Sequence, residues 1–324
     1  MTAPLLEVKH LSIQFKTSDG IFEAVDDVSF SIEPGEIFAL VGESGCGKST
    51  TAMGLMRLVA APGSISNGQI LFQGEDILAI SEEDMTRFRG KEIGMIFQNP
   101  LDSLNPVATV GQQVSEAIVL DRVPREEAMK KVVDIFGSVK ISDPKHRVRS
   151  YPHELSGGMR QRVMIGMMIS RNPKLLIADE PTTALDVTIQ AQILELCLEL
   201  KAKYQTSILI ITHDFGIVAE IADKVGVMYA GKIVEVGDVY RIFEKPIHPY
   251  TKLLMRALPQ ISKKEGRLET IPGTVPNLID PPSGCRFHPR CPNAMDICRK
   301  VSPELQPGEQ DHFFACHLGV TIDG

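Results

Sequence analysis

The sequence lacks any apolar run that approaches the ~18 uninterrupted residues that a helix needs to cross a bilayer. Its first residues, Met1 to Glu7, contain neither a basic segment nor a long apolar segment, and we therefore expect no signal peptide. We expect a protein that is made and kept in the cytoplasm. Any association with a membrane would then come through protein partners.

The sequence also lacks an excess of positive charge. Its 34 Lys and Arg residues are fewer than its 41 Asp and Glu residues, and the formal net charge is −7. Because nucleic-acid phosphates are contacted mostly by clustered Lys and Arg, this composition argues mildly against a protein that coats nucleic acid. Apolar residues make up 43% of the 324 residues, which is enough for one large globular domain with an appendage.

Cysteine is rare through most of the chain, where Cys46 and Cys197 stand alone. The other four cysteines crowd the C-terminal end: Cys285, Cys291, Cys298 and Cys316. In a cytosolic chain such a cluster predicts a metal site rather than disulfide bonds. Its spacing is not the paired CxxC of zinc ribbons, and four thiolates suit either Zn²⁺ or a 4Fe-4S cluster. Unligated thiols remain an alternative, and the less favoured replacement ligands are His288, His312 and His317.

The N-terminal part of the chain alternates apolar and polar residues in the manner of β-strands. Residues 6–15 and 24–32 show this alternation, and residues 36–41 form a shorter apolar strand. This third strand runs directly into a glycine-rich loop, which is followed by the helix-forming residues 49–58. The order of strand, glycine loop and helix is the setting that a phosphate-binding loop needs.

The remainder of the chain mixes strands and helices, so we expect an α/β protein. Further strands are predicted at residues 68–74, 93–98, 174–179 and 207–212, and a hairpin at 225–229 and 232–236. The apolar spacing of residues 187–204 predicts a crossover helix between parallel strands. The polar, proline-interrupted residues 99–162 predict an inserted helical subdomain, and the prolines beyond residue 246 mark an irregular tail.

Residues 42–49 read GESGCGKS and fit the phosphate-loop pattern GxxxxGK[ST]. The glycines let backbone N–H groups cradle phosphates, Lys48 reaches the β- and γ-phosphates, and Ser49 ligates Mg²⁺. Thr50 supports the adenine side of the loop less directly, and only the small size of Cys46 is expected to matter. The predicted ATP-binding residues of this segment are Gly42, Glu43, Ser44, Gly45, Cys46, Gly47, Lys48, Ser49 and Thr50.

A second motif stands far along the chain, where residues 155–159 read LSGGM. Because both motifs occur in order with suitable elements between them, the chain resembles the nucleotide-binding subunit of an ATP-binding cassette (ABC) transporter. The resemblance covers nearly the whole chain and implies a P-loop NTPase fold, in which an ABC nucleotide-binding domain has an antiparallel β region and an inserted helical subdomain. We place this domain at residues 5–246, its helical insertion at 99–162, and an irregular cysteine-containing extension at 247–324.

The resemblance assigns roles to polar residues that follow the apolar strands. Asp179 would hold Mg²⁺ together with Ser49, and Glu180 would polarise the attacking water. Adjacent carboxylates point in different directions, so one can hold the metal while the other faces the nucleophile. Gln98 stands at the position of the Q-loop and would join the Mg²⁺ ligands, while His213 stands where the family senses the γ-phosphate. The predicted catalytic residues are therefore Glu180, His213, Gln98 and Lys48.

Further residues take their roles from the same resemblance. Phe15 is the expected adenine-stacking aromatic, and Asp186 closes the D-loop at residues 184–186. The LSGGM segment is the signature motif of the family. Its residues Ser156, Gly157 and Gly158 offer a hydroxyl and backbone N–H groups to a phosphate. In the family these residues reach the ATP of an opposite subunit. Two chains would then enclose two nucleotides, and an isolated chain would be a poor ATPase.

Residues 271–298 read IPGTVPNLIDPPSGCRFHPRCPNAMDIC and, with HPYT at 248–251, resemble the extension of dipeptide and oligopeptide importer ATPases. This resemblance implies a 4Fe-4S cluster on the four C-terminal cysteines, with zinc as the alternative. It also implies an ATPase at the cytoplasmic face of the membrane that powers peptide import. The expected partners are two membrane-spanning permease subunits, a second ABC ATPase subunit that is identical or paralogous and, indirectly, an extracytoplasmic solute-binding protein.

Other functions are less favoured by the sequence. Importers of nickel, glucosides and other solutes share this branch of the family. A soluble ABC ATPase of repair or translation usually carries two cassettes or a long coiled-coil insertion, and this chain shows neither. A non-enzymatic binding module would be distinguished by whether Glu180 is needed for turnover.

Overall fold

The described part of the chain forms two units. A computed structural model describes residues 3–98, 103–181, 186–257 and 271–321. Unit 1 combines the residues up to 79 with those from 211 onward, and unit 2 consists of residues 80–210. Within these described ranges, we find no helix with the length and apolar character that spanning a membrane requires.

Both units mix strands and helices. In the described ranges the strands are β1 (Leu6–Thr17), β2 (Gly20–Ile32), β3 (Ile37–Val41), β4 (Gly63–Phe72), β5 (Glu75–Asp76), β6 (Ile93–Ile96), β7 (Leu175–Asp179), β8 (Ser207–Thr212), β9 (Lys224–Tyr229), β10 (Lys232–Asp238), β11 (Gln306–Pro307) and β12 (Phe313–Phe314). The α-helices are α1 (Lys48–Leu55), α2 (Glu82–Phe88), α3 (Val110–Val119), α4 (Arg125–Ser138), α5 (Pro144–Arg147), α6 (Gly157–Ile169), α7 (Val187–Tyr204), α8 (Phe215–Ile221), α9 (Val239–Glu244) and α10 (Pro249–Arg256). Short 3₁₀ turns occur at Pro152–Glu154, His288–Arg290, Asp296–Arg299 and His317–Thr321.

The first sheet of unit 1 is antiparallel and has the strand order β2-β1-β4-β5. Leu6, Val8, Leu11 and Ile13 of β1 are all buried. The burial changes from even to odd positions between Val8 and Leu11, where the register with β2 shifts, as a β-bulge requires. The two strands predicted from the alternation at residues 6–15 and 24–32 are therefore confirmed.

The second sheet of unit 1 positions the phosphate loop. All five residues of β3 are buried, and β3 runs parallel to β9. The predicted hairpin of β9 and β10 is confirmed, with Ala230 and Gly231 at its turn, both at positive φ. The tail is largely irregular, as expected, but it also contributes β12, which pairs with β10, and β11, which pairs with β12.

The strands of unit 2 are short and fully buried, as apolar runs in parallel sheets predict. β6 pairs in parallel with β7, and β8, most of which belongs to this unit, lies next to β7 in the sheet. The strands predicted at 174–179 and 207–212 and the helix predicted at 187–204 are confirmed. Asp179 ends β7 and Glu180 follows it, at the carboxyl end of a strand in a parallel sheet. Folds of this kind bind ligands at the carboxyl ends of their strands.

Helices α3, α4 and α6 form a helical cluster within unit 2. A capping box starts α3, because Thr109 Oγ1 accepts the N–H of Gln112 at 3.3 Å and Gln112 Oε1 accepts the N–H of Thr109 at 3.2 Å. Buried residues recur every four positions on α3 and α4. They are Val110, Val114, Ile118, Ala128, Val132 and Phe136. The cluster confirms the helical subdomain expected after β6.

Candidate active site

Two glycines determine the shape of the phosphate loop in unit 1, because neither position has room for a side chain. The loop lies between β3 and α1, as predicted. A Cβ on Gly42 would lie 2.1 Å from the carbonyl oxygen of Met228, and a Cβ on Gly47 would lie 2.3 Å from that of Ala24. Gly47 also has φ +108°, a conformation that side chains rarely adopt. The loop therefore needs these glycines for its own packing as well as for the approach of an anion.

Lys48 directs its ammonium group into this loop. The residue is only 5% exposed, and Nζ donates to the carbonyl oxygens of Gly42 at 2.8 Å and Glu43 at 3.0 Å. Ser49 and Thr50 follow in the first turn of α1 and are half-buried. A concave loop at a helix N-terminus, with one ammonium group inside it, suits a phosphate group.

The other loop side chains differ in their exposure. Ser44 and Gly45 are exposed, whereas Cys46 is buried, with its Sγ 3.8 Å from Lys48 Nζ. Burial raises the pKa of the Cys46 thiol, although the nearby lysine opposes the shift. A neutral thiol at this position agrees with the expectation that the small size of Cys46 is what matters.

Glu180, the predicted water-polarising residue, and Gln98, the predicted Q-loop residue, form a hydrogen bond in unit 2. Asp179 ends β7 and is 3% exposed, whereas Glu180, the next residue, is half-buried. Glu180 has φ +46°, which is uncommon for a side-chain-bearing residue. Gln98 Nε2 donates to Glu180 Oε2 at 3.0 Å. The adjacent carboxylates of Asp179 and Glu180 therefore lie in different environments, and the Gln98 amide binds that of Glu180.

The signature residues start helix α6 of unit 2. Ser156 is exposed, and its Oγ accepts the N–H of Met159 at 3.3 Å, so the serine serves as the N-cap of the helix. Gly157 and Gly158, the first two residues of this helix, are half-buried. The motif thus presents a hydroxyl at a helix N-terminus, where the helix dipole favours negative charge.

Asp186 has a similar capping position at the start of α7. Its Oδ1 accepts the N–H of Ile189 at 2.9 Å, and the residue is exposed. The rest of the predicted D-loop, Ala184 and Leu185, lies outside the described residues, as does the segment that follows Gln98.

His213 and Phe15 belong to unit 1 with the phosphate loop. His213 is exposed and directly follows β8, and Asp214 then caps α8 by accepting the N–H of Gly216 at 2.7 Å. Phe15 is half-buried on β1, with its ring 6.2 Å from that of Phe22 on the neighbouring strand. The predicted roles of His213 at the γ-phosphate and of Phe15 at adenine stay predictions.

The four C-terminal cysteines line one cavity in unit 1. They are Cys285, Cys291, Cys298 and Cys316. The backbone also joins two of them, because the Cys285 N–H donates to the Cys298 carbonyl oxygen at 2.8 Å. Across the described ranges, no group of three or more His, Cys, Asp and Glu side chains is arranged to hold a single metal ion.

Three cysteines of this cavity, Cys285, Cys291 and Cys316, have raised pKa values. The pKa of Cys285 is raised to about 11, chiefly by burial and to a smaller extent by the neighbouring cysteines. Burial likewise raises the pKa of Cys291 and Cys316. Thiols must lose their protons to ligate a metal, and a cationic group among them would favour that loss. Four cysteines on one cavity are a donor set that thiolate-bound metal groups use, and the 4Fe-4S cluster that the resemblance implies stays a prediction.

The three histidines named as replacement ligands have other partners. His288 Nδ1 lies 3.0 Å from the carbonyl oxygen of Cys285, and His317 Nε2 lies 2.9 Å from that of Val301. Both residues line the cysteine cavity. His312 is buried and its Nε2 lies 2.7 Å from Glu235 Oε1, so this ring nitrogen faces a carboxylate.

Sequence reasoning missed side chains that join the tail to the phosphate loop and to the turn between β9 and β10. The hydroxyl of Tyr250 accepts the N–H of Glu43 at 3.0 Å, and Arg290 forms an ion pair with the Glu43 carboxylate. Arg286 donates to the carbonyl oxygen of Ala230 at 2.6 Å. The sequence signals were the segment HPYT, which contains Tyr250, and the position of both arginines beside cysteines in CRFHPRC.

Comparisons with known proteins agree with these motifs. The family model described as ABC transporter matches residues 25–183, and the one described as oligopeptide/dipeptide transporter, C-terminal region, matches residues 234–298. The chain is 48% identical over 321 residues to the dipeptide transport ATP-binding protein DppD of Escherichia coli (strain K12). That alignment covers 99% of this chain and 98% of the relative. The chain belongs to the ABC transporter ATP-binding family.

Other relatives of this ABC ATPase support the assignment. The chain is 51% identical over 312 residues to the oligopeptide transport ATP-binding protein OppD of Bacillus subtilis (strain 168). That alignment covers 95% of this chain and 87% of the relative. The solved structure of cbiO1 from Clostridium perfringens, part of the ABC transporter complex cbiONQ, matches 81% of this chain and 98% of that chain. Its TM-score is 0.66 and its identity 32%.

A dimeric ATP-binding cassette, MJ0796, bound to ADP and Pi, shares the fold, with a TM-score of 0.65 at 23% identity. This match covers 72% of this chain and 98% of that chain. The chain is thus an ABC ATPase with a P-loop NTPase fold.

Proposed function

We propose that this ABC ATPase powers the import of dipeptides or oligopeptides. The observation that carries the proposal is the match of residues 234–298, beyond the cassette itself, to the C-terminal region of oligopeptide/dipeptide transporters. The names of the two relatives above, which specify dipeptide and oligopeptide transport, support it. An importer of nickel or a glycoside is the alternative, and a soluble ABC ATPase outside transport is less favoured.

The proposed complex contains two membrane-spanning permease subunits and a second ABC ATPase subunit, which is identical or paralogous. A solute-binding protein outside the membrane delivers the solute, and the ATPase lies at the cytoplasmic face of the membrane. We divide the chain into an ATP-binding domain at residues 5–246, with its helical insertion at 99–162, and an extension at 247–324.

In the proposed reaction, Glu180 orients and polarises the water that attacks the γ-phosphate, and ADP and phosphate leave. The hydrogen bond from Gln98 supports this role, because it holds the Glu180 carboxylate in a defined orientation. Lys48 offsets phosphate charge, and His213 contacts the γ-phosphate. Ser49, Asp179 and Gln98 are the proposed ligands of Mg²⁺, which neutralises charge on the phosphates.

We further propose that the cysteine cavity holds a 4Fe-4S cluster as a structural cofactor, with zinc as the alternative. The convergence of four cysteines on one cavity supports this assignment. The cysteines lie in a segment with little regular secondary structure and few buried apolar residues, so a bound metal group would stabilise its fold.

Reconstituted transport tests the proposed function. The complete transporter in proteoliposomes, with its solute-binding protein outside and ATP inside, should accumulate a labelled dipeptide. The matched Glu180→Gln transporter should not. Accumulation of Ni²⁺ or of a labelled glycoside, without that of the peptide, would favour the alternative importers. ATP-dependent accumulation of none of these solutes would contradict import by this branch of the family.

A further inference from the structure

Glu43, the second residue of the phosphate loop, is held by three side chains of unit 1. Its N–H donates to the hydroxyl oxygen of Tyr250 at 3.0 Å. Its carboxylate accepts two bonds from Arg290, at 2.6 Å and 3.0 Å. Its carbonyl oxygen accepts a bond from Lys48 Nζ at 3.0 Å. Tyr250 and Arg290 both belong to the extension, so two of these three contacts come from outside the loop and its helix.

The pair of Arg290 and Glu43 differs from an ordinary surface ion pair. The arginine side chain is 6% exposed and the glutamate side chain 25%. Arg290 Nε also donates to the carbonyl oxygen of Pro272 at 2.9 Å, and the guanidinium lies 5.7 Å from the ring centre of Tyr229. A two-point bond from a guanidinium held on several sides fixes the carboxylate more firmly than an exposed pair does.

Packing fixes the hydroxyl of Tyr250 as well. The residue is fully buried, with its ring centre 4.6 Å from that of Tyr229 and 5.3 Å from that of Phe287. It lies in the first turn of α10, where His248 Nδ1 accepts the Tyr250 N–H at 3.1 Å. The hydroxyl therefore meets the Glu43 N–H from a ring that has little freedom to move.

From these contacts we infer that Tyr250 and Arg290 are positioning residues for ATP binding, through which the extension holds the phosphate loop. Lys48 Nζ donates to the carbonyl oxygens of Gly42 and Glu43, and a lysine ammonium has a third donor that can reach a phosphate. The contacts from the extension engage the N–H and the carboxylate of Glu43, and they leave its carbonyl oxygen to Lys48. They keep the loop in one shape, so less conformational freedom is lost when nucleotide binds.

This inference rests on the assigned ATP site and not on the identity of the transported solute. It predicts a stronger effect on nucleotide affinity than on the chemical step, because neither side chain touches the attacking water. The residues that the resemblance assigns to catalysis are unchanged in the variants used to test it.

Nucleotide binding to the purified full-length subunit provides the test, with a fluorescent ATP analogue and Mg²⁺ as the probe. Tyr250→Phe removes one oxygen atom and leaves the packed ring, and we expect its Kd to rise about threefold to tenfold. Arg290→Met removes a charged two-point contact, and we expect its Kd to rise at least about tenfold. The matched control is Lys300→Met, which removes an exposed charge of the extension and should leave the Kd unchanged.

A double-mutant cycle with Glu43→Gln separates positioning from general destabilisation. If Arg290 acts through Glu43, the double variant should bind nucleotide no more weakly than the weaker single variant. In the assembled transporter, Tyr250→Phe should raise the KM for ATP and leave kcat within about twofold. Arg290→Lys should recover part of the lost affinity, since it restores the charge without the two-point geometry.

The inference is overturned if folded Tyr250→Phe and Arg290→Met subunits bind nucleotide as tightly as the control. It is also overturned if Glu43→Gln and Arg290→Met weaken binding independently, or if Tyr250→Phe lowers kcat while leaving the KM unchanged. Each of these outcomes can be read from ATP alone, even if peptide transport fails.

Discussion

Replacing Glu235 should destabilise the docking of the extension by a predictable amount. The side chain is 0% exposed, and its carboxylate accepts the N–H groups of Ile247 at 2.7 Å and His248 at 3.0 Å. It also pairs with His312 Nε2 at 2.7 Å. In Glu235→Gln one of the two oxygens becomes an NH₂ group that faces a donor, which should lower the free energy of unfolding by about 1.5–3 kcal/mol. Glu235→Ala leaves all three donors unpaired, and a loss of about 3–5 kcal/mol is expected.

Urea unfolding of the purified subunit, followed by circular dichroism, measures these differences. The control is Glu244→Gln, an exposed glutamate that should change the free energy of unfolding by less than about 0.5 kcal/mol. The order of stability should be wild type, then Glu235→Gln, then Glu235→Ala. A Glu235→Ala protein as stable as the control would refute the reasoning that this buried carboxylate holds the extension in place.

Further predictions concern the loop and the cysteines. Gly47→Ala should abolish nucleotide binding in the fluorescence assay, because the new Cβ would lie 2.3 Å from the Ala24 carbonyl oxygen. Burial raises the pKa of Cys197 to about 12 and also raises that of Cys46. Because little thiolate forms below these pKa values, a maleimide at pH 7 should label neither cysteine until urea unfolds the protein. Rapid labelling of Cys46 or Cys197 in the native protein would contradict their burial. Protein purified without oxygen should be brown with about four irons per chain, whereas colourless protein with stoichiometric zinc would overturn the cluster.

The sequence predicted elements whose pattern is local. The strand before the phosphate loop and helix α7 follow from short-range apolar patterns, and both occur where expected. The start of β4 was missed by several residues, because Gly63 and Asn67 favour turns and hide the strand signal. Pairing with β1 along this stretch overrides those local preferences.

The site was predictable as a set of residues but not as a set of contacts. Gln98 and Glu180 each follow an apolar strand, and motif position alone singled them out. Their hydrogen bond depends on the neighbouring order of β6 and β7 in the sheet. The pair of Glu43 and Arg290 joins residues 247 positions apart, and no periodicity of the sequence carries that information.

The most direct test of this account is the turnover of a Glu180→Gln subunit in the assembled transporter. The substitution removes the proposed water-polarising carboxylate while leaving Asp179 and Lys48 in place. We predict that Mg-ATP binds with nearly normal affinity, that hydrolysis slows by about 10²- to 10⁴-fold, and that ATP traps a closed dimer. Glu244→Gln, with the same chemical change at an exposed position, should hydrolyse ATP normally. Near-normal hydrolysis by Glu180→Gln would contradict the assignment of Glu180 and with it the proposed mechanism.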